Sequence, residues 1–338
     1  MNMPDLSEYS YDLPEEKIAQ HPAQPRDSCK LMIVGKGKDD KKIFHKKFYE
    51  IITEFEKGDV LVLNDTKVLH SKIFGKKDTG SNAEITLLKK IGKDTYEAKI
   101  KTKNPLVGNN IILHGKKSAK IIRQKNIDTF IVKLSDKKAL KDAVMPSPPY
   151  IHHVVNDKEY QTVYSKDSRD GDGSLAAPTA GLHFTKNLLS RIAKKGVKII
   201  YITLHVSYGT FKNIDDPKTY VMDPETYSIS KKSADAINNR KGRLIVCGTT
   251  TLKALETSSK NGKIIAGKAD STLFIYPPYK FKSGADMLIT NFHLPKSTLL
   301  LLTSAYAGRE KIMYAYKCAL DNDYRFYSLG DCMLIYKE

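Results

Sequence analysis

The ten residues AAPTAGLHFT at positions 176–185 are the stretch on which the predicted fold and site depend. Small residues dominate this run, so it cannot bury an apolar face of its own, and a ligand can approach its backbone closely. It follows the glycine-rich residues 170–174, and Thr185 is placed to cap a helix that begins at Lys186. The stretch therefore predicts a cup with one titratable group, His183, and a purely structural turn is the alternative.

Three apolar runs elsewhere in the chain end in small polar residues. The runs 59–63, 243–247 and 286–290 are followed, respectively, by Asn64, Asp65 and Thr66, by Gly248, Thr249 and Thr250, and by Asn291, Phe292 and His293. Open α/β sheets place their ligand crevice at strand ends of this kind. We therefore expect these three ends to converge with residues 176–185 on one pocket.

The chain is strongly basic. It has 56 Lys and Arg against 38 Asp and Glu, a formal net charge of +18, and 41% hydrophobic residues. This hydrophobic content is typical of globular proteins, and the excess charge favours a polyanion such as nucleic acid over a small acidic substrate. Because most of the positive charge is lysine, a biased composition is the alternative explanation.

Cysteine usage and hydropathy predict a cytoplasmic protein without a membrane span. The four cysteines are far apart and fit neither a zinc site nor a disulfide framework, which indicates reduced thiols. The longest apolar stretch, 287–307, is interrupted by His293, Pro295 and Lys296 and cannot cross a bilayer as one helix. The N-terminus has no signal-peptide core.

The pattern of predicted elements divides the chain. Short alternating strands are predicted at 83–91, 95–101, 109–113, 118–123 and 127–134. Outside this segment, helices are predicted at 14–20, 186–195, 230–239, 252–259, 297–306 and 310–320, and strands at 31–34, 59–63, 197–206, 243–247, 273–276, 286–290 and 332–336. We therefore predict the α/β class, with a parent α/β sandwich domain at 1–67 and 149–338 and an inserted small all-β barrel domain at 68–148.

Several polar residues are candidates for chemistry, each with a structural alternative. His183, His205 and His293 have no metal-ligand spacing, so no metal site is expected, and a buried or loop-capping histidine is the alternative for each. Glu256 lies on a predicted helix from which it could reach the strand ends, or it is an ordinary surface glutamate. Lys296 and Ser297 begin a predicted helix and could seat an anion, although N-capping explains Ser297 equally well.

Long phrases of the sequence resemble the S-adenosylmethionine:tRNA ribosyltransferase-isomerase family of queuosine biosynthesis. Among them are GDVLVLNDTKV at 58–68, GSLAAPTAGLHFT at 173–185, GTTTLKALE at 248–256, MLITNFHLPKSTLLLL at 287–302 and YRFYSLGDCMLI at 324–335. The resemblance runs nearly from end to end in the same order.

The resemblance implies that S-adenosylmethionine donates its ribosyl part rather than its methyl group. The implied acceptor is 7-aminomethyl-7-deazaguanine at the wobble position of a tRNA, and the implied products are epoxyqueuosine-tRNA, adenine and methionine. A base would remove a proton from C5′, which the neighbouring sulfonium acidifies. The implied partners are this tRNA and S-adenosylmethionine, a co-substrate rather than a cofactor, and we expect a cytoplasmic monomer.

The resemblance and the strand ends together give the expected site. Three residues are expected to be catalytic: His183, Asp65 and His293. The expected substrate-binding residues are Asn64, Thr66, Thr179, Phe184, His205, Gly248, Thr249, Thr250, Glu256, Asn291, Lys296 and Ser297. Carboxylates near a cationic donor are favourable, which suits Asp65 and Glu256.

The chain departs from the family pattern at some positions. Lysine stands where the family commonly has arginine, at Lys67, Lys212 and Lys253, and Asp223 stands where a histidine is usual. These changes leave two alternatives open. One is an RNA-binding protein with a decayed active site, and the other is an S-adenosylmethionine-dependent enzyme that acts on a free base.

Overall fold

A computed structural model describes residues 4–37, 42–167, 173–211, 214 and 220–337, without the side chains of residues 116, 210 and 211. The chain forms two compact units, one of Met1–Lys67 with Glu159–Glu338 and one of Val68–Lys158. The insertion predicted at 68–148 lies within this second unit. Two features singled out in the sequence, residues 170–172 of the glycine-rich loop and Lys212, lie outside the described residues.

Strands and helices alternate along the larger unit, whereas the smaller unit is built from strands. In chain order the strands are β1 (Lys30–Val34), β2 (Ile43–Lys47), β3 (Val60–Asn64), β4 (Lys72–Lys77), β5 (Asn82–Gly92), β6 (Thr95–Lys101), β7 (Asn110–Leu113), β8 (Ser118–Gln124), β9 (Phe130–Leu134), β10 (Lys198–Leu204), β11 (Glu225–Ile229), β12 (Leu244–Cys247), β13 (Ser259–Lys260), β14 (Lys263–Ile264), β15 (Gly267–Ser271), β16 (Met287–Asn291) and β17 (Cys332–Tyr336). The α-helices are α1 (Asp157–Tyr160), α2 (Lys186–Lys194), α3 (Lys231–Asn238), α4 (Thr249–Ser258), α5 (Thr298–Ala307) and α6 (Arg309–Asp321).

A nine-stranded mixed sheet forms the centre of the larger unit, in the order β15-β11-β10-β3-β12-β16-β17-β1-β2. Its middle strands β10, β3, β12 and β16 run parallel to one another. Strand β17 is antiparallel to β16, and β1 is parallel to β17. Because β3, β12 and β16 are parallel neighbours, their carboxyl ends lie at the same edge of the sheet.

The main core of the larger unit lies on one face of this sheet. Alternate residues of a strand point to the same face, and on this face the central strands bury Leu61, Leu63, Ile245, Cys247, Met287, Ile289, Cys332 and Leu334. They pack against Leu188 and Ile192 of α2 and against Phe48 of a 3₁₀ segment, Phe48–Glu54. Each fully buried side chain of this kind contributes about 1.5–3 kcal/mol.

Three helices of the larger unit, α2, α3 and α5, begin within one residue of their predicted starts, whereas α4 begins at Thr249, three residues before its predicted start. The side chains of Thr185, Ser230 and Ser297 accept hydrogen bonds from the backbone N–H three residues ahead, at 3.1, 3.0 and 3.2 Å. The prediction that Thr185 caps a helix beginning at Lys186 is confirmed. Helix α4 begins differently, since it follows Gly248, which has φ of +91° and no side chain to cap the first turn.

The smaller unit is a closed barrel of six antiparallel strands in the order β4-β5-β6-β9-β8-β7. Its interior is filled by side chains that alternate along the strands, among them Ile73, Ile85, Ala98, Ile121 and Val132. Closure pairs every strand on both sides, which removes exposed sheet edges. The predicted fold class, a parent α/β domain with an inserted small β-barrel, is confirmed.

Some predicted elements are wrong. Residues 273–276 form no strand, because Pro277 and Pro278 follow directly and cannot donate to a ladder. The helix predicted at 14–20 shortens to a 3₁₀ turn at Glu15–Lys17. Strands β4, β11 and β15 were not predicted, and in β15 four of five residues are exposed, so it carries no hydrophobic alternation. Within the described ranges, we find no helix with the length and apolar character needed to span a membrane.

Candidate active site

The strand ends named in the sequence lie at one edge of the sheet. Strand β3 ends at Asn64, β12 ends just before Gly248, and β16 ends at Asn291. A 3₁₀ segment, Thr179–His183, lies against β16 at this edge. The ends of these strands share one edge as expected, but their side chains form three separate groups, so the prediction of one common pocket is wrong.

His183 belongs to the first group and is buried. Its Nδ1 lies 3.2 Å from Cys29 Sγ, and Asn291 Nδ2 donates to its Nε2 at 3.2 Å. Because Nε2 accepts, the proton of the neutral imidazole is on Nδ1 and points to the Cys29 sulfur. The ring also packs against Phe48, with 5.1 Å between ring centroids. Both ring nitrogens of His183 are therefore engaged by side chains of the protein.

Burial also determines the charge of His183. Desolvation lowers its pKa to about 4, so the imidazole is neutral at pH 7. Burial likewise raises the pKa of the Cys29 thiol, which stays protonated. A neutral, 4% exposed imidazole between a thiol and an amide favours the structural alternative.

Neighbouring residues of the same stretch serve the core. Phe184 has no exposed surface and packs edge-on against Phe48, with 5.0 Å between ring centroids. Its side chain is therefore not offered to a ligand as expected from the sequence. Gly181 provides a close approach, since a Cβ there would lie 2.0 Å from the Tyr164 hydroxyl. Thr179, at the start of the 3₁₀ segment, is only partly buried.

His293 and Asn291 are also engaged. His293 Nε2 lies 2.9 Å from Thr290 Oγ1, and its backbone N–H donates to the Tyr316 hydroxyl at 2.7 Å. Burial lowers the pKa of His293 to about 3. Asn291 Nδ2 donates in addition to the Tyr327 carbonyl at 3.0 Å, whereas its Oδ1 has no hydrogen-bond partner among the described residues. Of these two residues, Asn291 is therefore the one with a side-chain oxygen that accepts no hydrogen bond from the described residues.

The second group lies at the end of β3. The Asn64 side chain bridges to β10, because its Nδ2 donates to the Leu204 carbonyl at 2.9 Å and its Oδ1 accepts from Leu204 N at 3.0 Å. The Thr66 hydroxyl lies 2.8 Å from both Ser174 Oγ and His205 Nδ1. Asn64, Thr66 and His205 thus come together as expected, and they join the ends of adjacent strands.

Asp65 is the carboxylate of this second group. Its Oδ1 accepts from the Thr203 hydroxyl at 2.7 Å, and its Oδ2 lies 3.5 Å from Lys166 Nζ. Its side chain keeps 11% of its surface exposed. Asp65 is therefore hydrogen-bonded and paired with a cation, and the residue is 9% exposed, against 8% for His293 and 4% for His183.

The third group lines a cavity at the start of α4. The cavity residues in the described part of the chain are Ser207, Gly209, Tyr220, Met222, Asp223, Glu225, Thr249, Thr250, Lys253, Leu273, Phe274, Ile275, Thr298, Leu299 and Leu302. Thr249 and Thr250 were expected at a binding site and lie here. The Thr250 Oγ1 atom is buried and has no hydrogen-bond partner among the described residues.

The cavity contains a buried ion pair that was not among the site residues predicted from the sequence. Lys253 Nζ pairs with Glu225, and their side chains are 6% and 3% exposed. The second Glu225 oxygen accepts from Ser207 N at 2.9 Å. Helical spacing gives a signal for Lys253, because residues three apart, such as Thr250 and Lys253, share one helix face. No local signal identifies Glu225, which comes from another strand.

Three expected binding residues do not join these groups: Glu256, Lys296 and Ser297. The buried Glu256 carboxylate accepts from the Tyr279 hydroxyl at 3.2 Å and from Lys282 N and Ser283 N at 2.8 and 2.9 Å. It therefore holds a loop. Ser297 serves as the N-cap of α5, and its hydroxyl donates to the Leu294 carbonyl at 2.7 Å. Lys296 is exposed, so the described structure supports the capping alternative for this pair.

Two departures from the family pattern are accommodated in the structure. Lys253 keeps its charge in the pair with Glu225, and Lys67 Nζ lies 2.7 Å from Asp167. At Gly209, a Cβ would lie 2.2 Å from a carboxylate oxygen of Asp223, so a larger residue there would require the Asp223 side chain to move.

Comparisons with known proteins agree with one another. A family model described as queuosine biosynthesis protein matches residues 6–335. The S-adenosylmethionine:tRNA ribosyltransferase-isomerase of Fusobacterium nucleatum is 45% identical over 98% of this chain and 97% of its own length. The protein of the same name from a Sulfurihydrogenibium species is 44% identical over 98% of this chain and 99% of its own length.

A solved structure is also similar. The crystal structure of the S-adenosylmethionine tRNA ribosyltransferase from Thermotoga maritima is 30% identical in sequence. It matches with a TM-score of 0.54 over 97% of this chain and 99% of its own. The similarity in sequence and in fold therefore extends over nearly the whole chain.

Proposed function

The chain belongs to the queuosine biosynthesis protein family, and from this membership we propose that it is an S-adenosylmethionine:tRNA ribosyltransferase-isomerase. In the proposed reaction it transfers and isomerises the ribosyl part of S-adenosylmethionine onto 7-aminomethyl-7-deazaguanine at the tRNA wobble position. The products are epoxyqueuosine-tRNA, adenine and methionine. Four free cysteines in the chain are typical of a reducing compartment and support a cytoplasmic reaction.

This proposal rests on sequence identity to relatives that are named S-adenosylmethionine:tRNA ribosyltransferase-isomerase. Three such relatives are 42–45% identical over 98% of this chain and at least 97% of their own lengths. The similarity therefore includes both units and every strand end of the site. Lys253 forms a buried ion pair with Glu225, so the lysine at this position keeps a positive charge in the cavity where the family commonly has arginine.

Among the expected catalytic residues, Asp65 is the one we assign to proton transfer. A general base needs a free acceptor atom, and the Asp65 carboxylate keeps lone pairs beyond its contacts with Thr203 and Lys166. Both ring nitrogens of His183 are engaged, and burial lowers the pKa of His293 and so disfavours its taking up a proton. A carboxylate also suits a cationic sulfonium donor. His183 then acts as a positioning residue, which holds Asn291 at the end of β16.

Labelled S-adenosylmethionine tests the proposed reaction. Label in the ribose is expected to appear in tRNA that carries the aminomethyl base, whereas label in the methyl group is not. Asp65→Asn should lower the single-turnover rate by about 10²-fold, the range for loss of a general base. Asp167→Asn is the matched control, because Asp167 is a nearby carboxylate with 84% side-chain exposure, and its rate should be unchanged.

Three results would contradict this assignment. Methyl transfer to tRNA would exclude the proposed reaction. Transfer of the ribose label to a free base without tRNA would favour the free-base enzyme. Binding of tRNA without any transfer would favour a decayed RNA-binding protein. An unchanged rate in Asp65→Asn would remove only the role of that residue.

A further inference from the structure

The cavity at the start of α4 contains a buried cation with unused hydrogen-bonding capacity. The Lys253 ammonium has three N–H donors, and Glu225 is its hydrogen-bonding or ion-pair partner among the described residues. Its side chain is 6% exposed, so water can satisfy little of the remainder. A buried ammonium in this state favours an additional anionic or acceptor group in the cavity.

Two further donors face the same space. The Thr250 hydroxyl is buried without a partner among the described residues, and it lies one helical turn before Lys253. The first turn of α4 follows Gly248 and has no side-chain cap, so its backbone amides add to the positive potential. A hydroxyl, an ammonium and helix amides together are suited to a carboxylate.

Apart from the acidic Asp223, the remaining walls of the cavity are mostly apolar. Leu273, Phe274, Leu299 and Leu302 line it, and Phe274 packs on Tyr220 with 5.4 Å between ring centroids. Apolar walls suit the methylene groups of an aliphatic chain, and they do not suit the strongly hydrated phosphodiester of a nucleic acid. The chemistry of this lining therefore suits a carboxylate at the end of a short aliphatic chain.

We propose that this cavity binds the methionyl end of S-adenosylmethionine, with the carboxylate received by Thr250 and Lys253. This inference rests on the proposed function and assigns one half of its co-substrate to one place. The nucleoside half would then extend from the cavity toward the ends of β3 and β16. Thr250 and Lys253 become specificity-determining residues for the amino-acid end.

A pair of analogues tests the inference by direct binding to the full chain without tRNA. S-adenosylhomocysteine has the amino-acid end, whereas 5′-methylthioadenosine has the same nucleoside and a thioether without it. Thr250→Val removes one hydroxyl at nearly constant volume and should weaken S-adenosylhomocysteine binding about tenfold, as for one hydrogen bond to a charged group. Binding of 5′-methylthioadenosine should be unchanged.

Ser304→Ala is the matched control. Ser304 lies on α5, its hydroxyl is also buried without a described partner, and it does not line the cavity. This variant should bind both analogues as the wild type does. Lys253→Arg is a second variant that keeps the ion pair and the donors, and it should retain the preference for S-adenosylhomocysteine. Thermal unfolding of each variant establishes that it is folded.

The outcomes separate this inference from the proposed function. Equal weakening of both analogues in Thr250→Val, or no weakening of either, overturns the inference, and so does weaker tRNA binding with normal S-adenosylhomocysteine binding. Ribose transfer by the wild type in those cases leaves the function standing. If the wild type transfers no ribose label, the function fails, yet selective loss of S-adenosylhomocysteine binding in Thr250→Val still supports the cavity.

Discussion

At the scale of single residues, burial determines what each titratable group can do. His183 and His293 have the pKa values of enclosed imidazoles, about 4 and about 3, because desolvation disfavours their charged forms. Glu54 shows the opposite, since hydrogen bonds from Lys36 and Lys46 outweigh its burial and lower its pKa to about 2. The sequence specifies the residue types of such groups, but it does not specify how far each group is exposed to solvent.

The two buried histidines should make the protein sensitive to mild acid. Their folded pKa values lie below the unfolded value of about 6.5, so the folded state binds fewer protons. The free energy of unfolding therefore loses nothing to these histidines well above pH 6.5, and it decreases as the pH falls from 6.5 towards 4. Between pH 7 and pH 5, each histidine should account for a loss of about 2 kcal/mol. Urea unfolding at several pH values measures this loss.

Variants of the same histidines provide the control for this pH dependence. His183→Gln and His293→Gln remove the titrating group, so each should be less stable at pH 7 but should lose less stability between pH 7 and pH 5. The exposed His114 is the comparison, and its glutamine variant should follow the wild-type curve. Identical slopes in all four proteins would show that neither buried histidine governs the acid response.

At the scale of elements, α4 connects the cavity to a loop. Its first turn places Thr250 and Lys253 in the cavity, and the following turn places Glu256 under residues 279–283. Hydrogen bonds to two backbone N–H groups and to Tyr279 make Glu256 a structural acceptor. The N-terminal part of α4 therefore lines the cavity, whereas its C-terminal part holds the loop 279–283.

Glu256→Gln should lower stability and leave binding of S-adenosylmethionine largely intact. A glutamine amide presents an NH₂ group where the carboxylate accepts from Lys282 or Ser283, so one buried donor loses its acceptor. This loss should cost about 1–3 kcal/mol. Thermal unfolding and equilibrium binding measure the two effects. Weaker binding with unchanged stability would instead restore Glu256 as a substrate-binding residue, as the sequence suggested.

The elements show how far sequence reasoning extends. Strong hydrophobic patterns gave β3, β12, β16 and β17 within one or two residues, because strands buried on both faces are continuous apolar runs. Strand β15 could not be predicted, since four of its five residues GKADS are exposed and the strand is placed by long-range pairing with β11. The order of strands and the partner of Lys253 depend on long-range contacts, which no local pattern contains.

At the scale of the whole molecule, charge is the main property beyond the site. The net charge of +18 comes mostly from lysine, and composition alone could produce it. The larger unit nevertheless gathers several cations around one groove, which is lined by Lys198, Lys231, Lys232, Arg240 and Lys241 together with Asp235. A polyanion would bind such a groove mainly through phosphate contacts.

Binding of tRNA should therefore weaken steeply with salt. Each lysine–phosphate contact releases condensed counterions and adds roughly −0.7 to −0.9 to the slope of log K against log salt. Changing Lys198, Lys232 and Lys241 to glutamine should reduce the magnitude of the slope by about 2 if all three contact phosphate. The matched control changes three exposed lysines of the barrel unit, Lys89, Lys90 and Lys93, and removes the same charge. Filter binding at increasing salt measures all three slopes, with S-adenosylmethionine binding as a reference that salt should hardly affect. Equal slopes for the two triple variants would attribute tRNA binding to net charge alone, and a flat wild-type response would leave the lysine excess as a feature of composition.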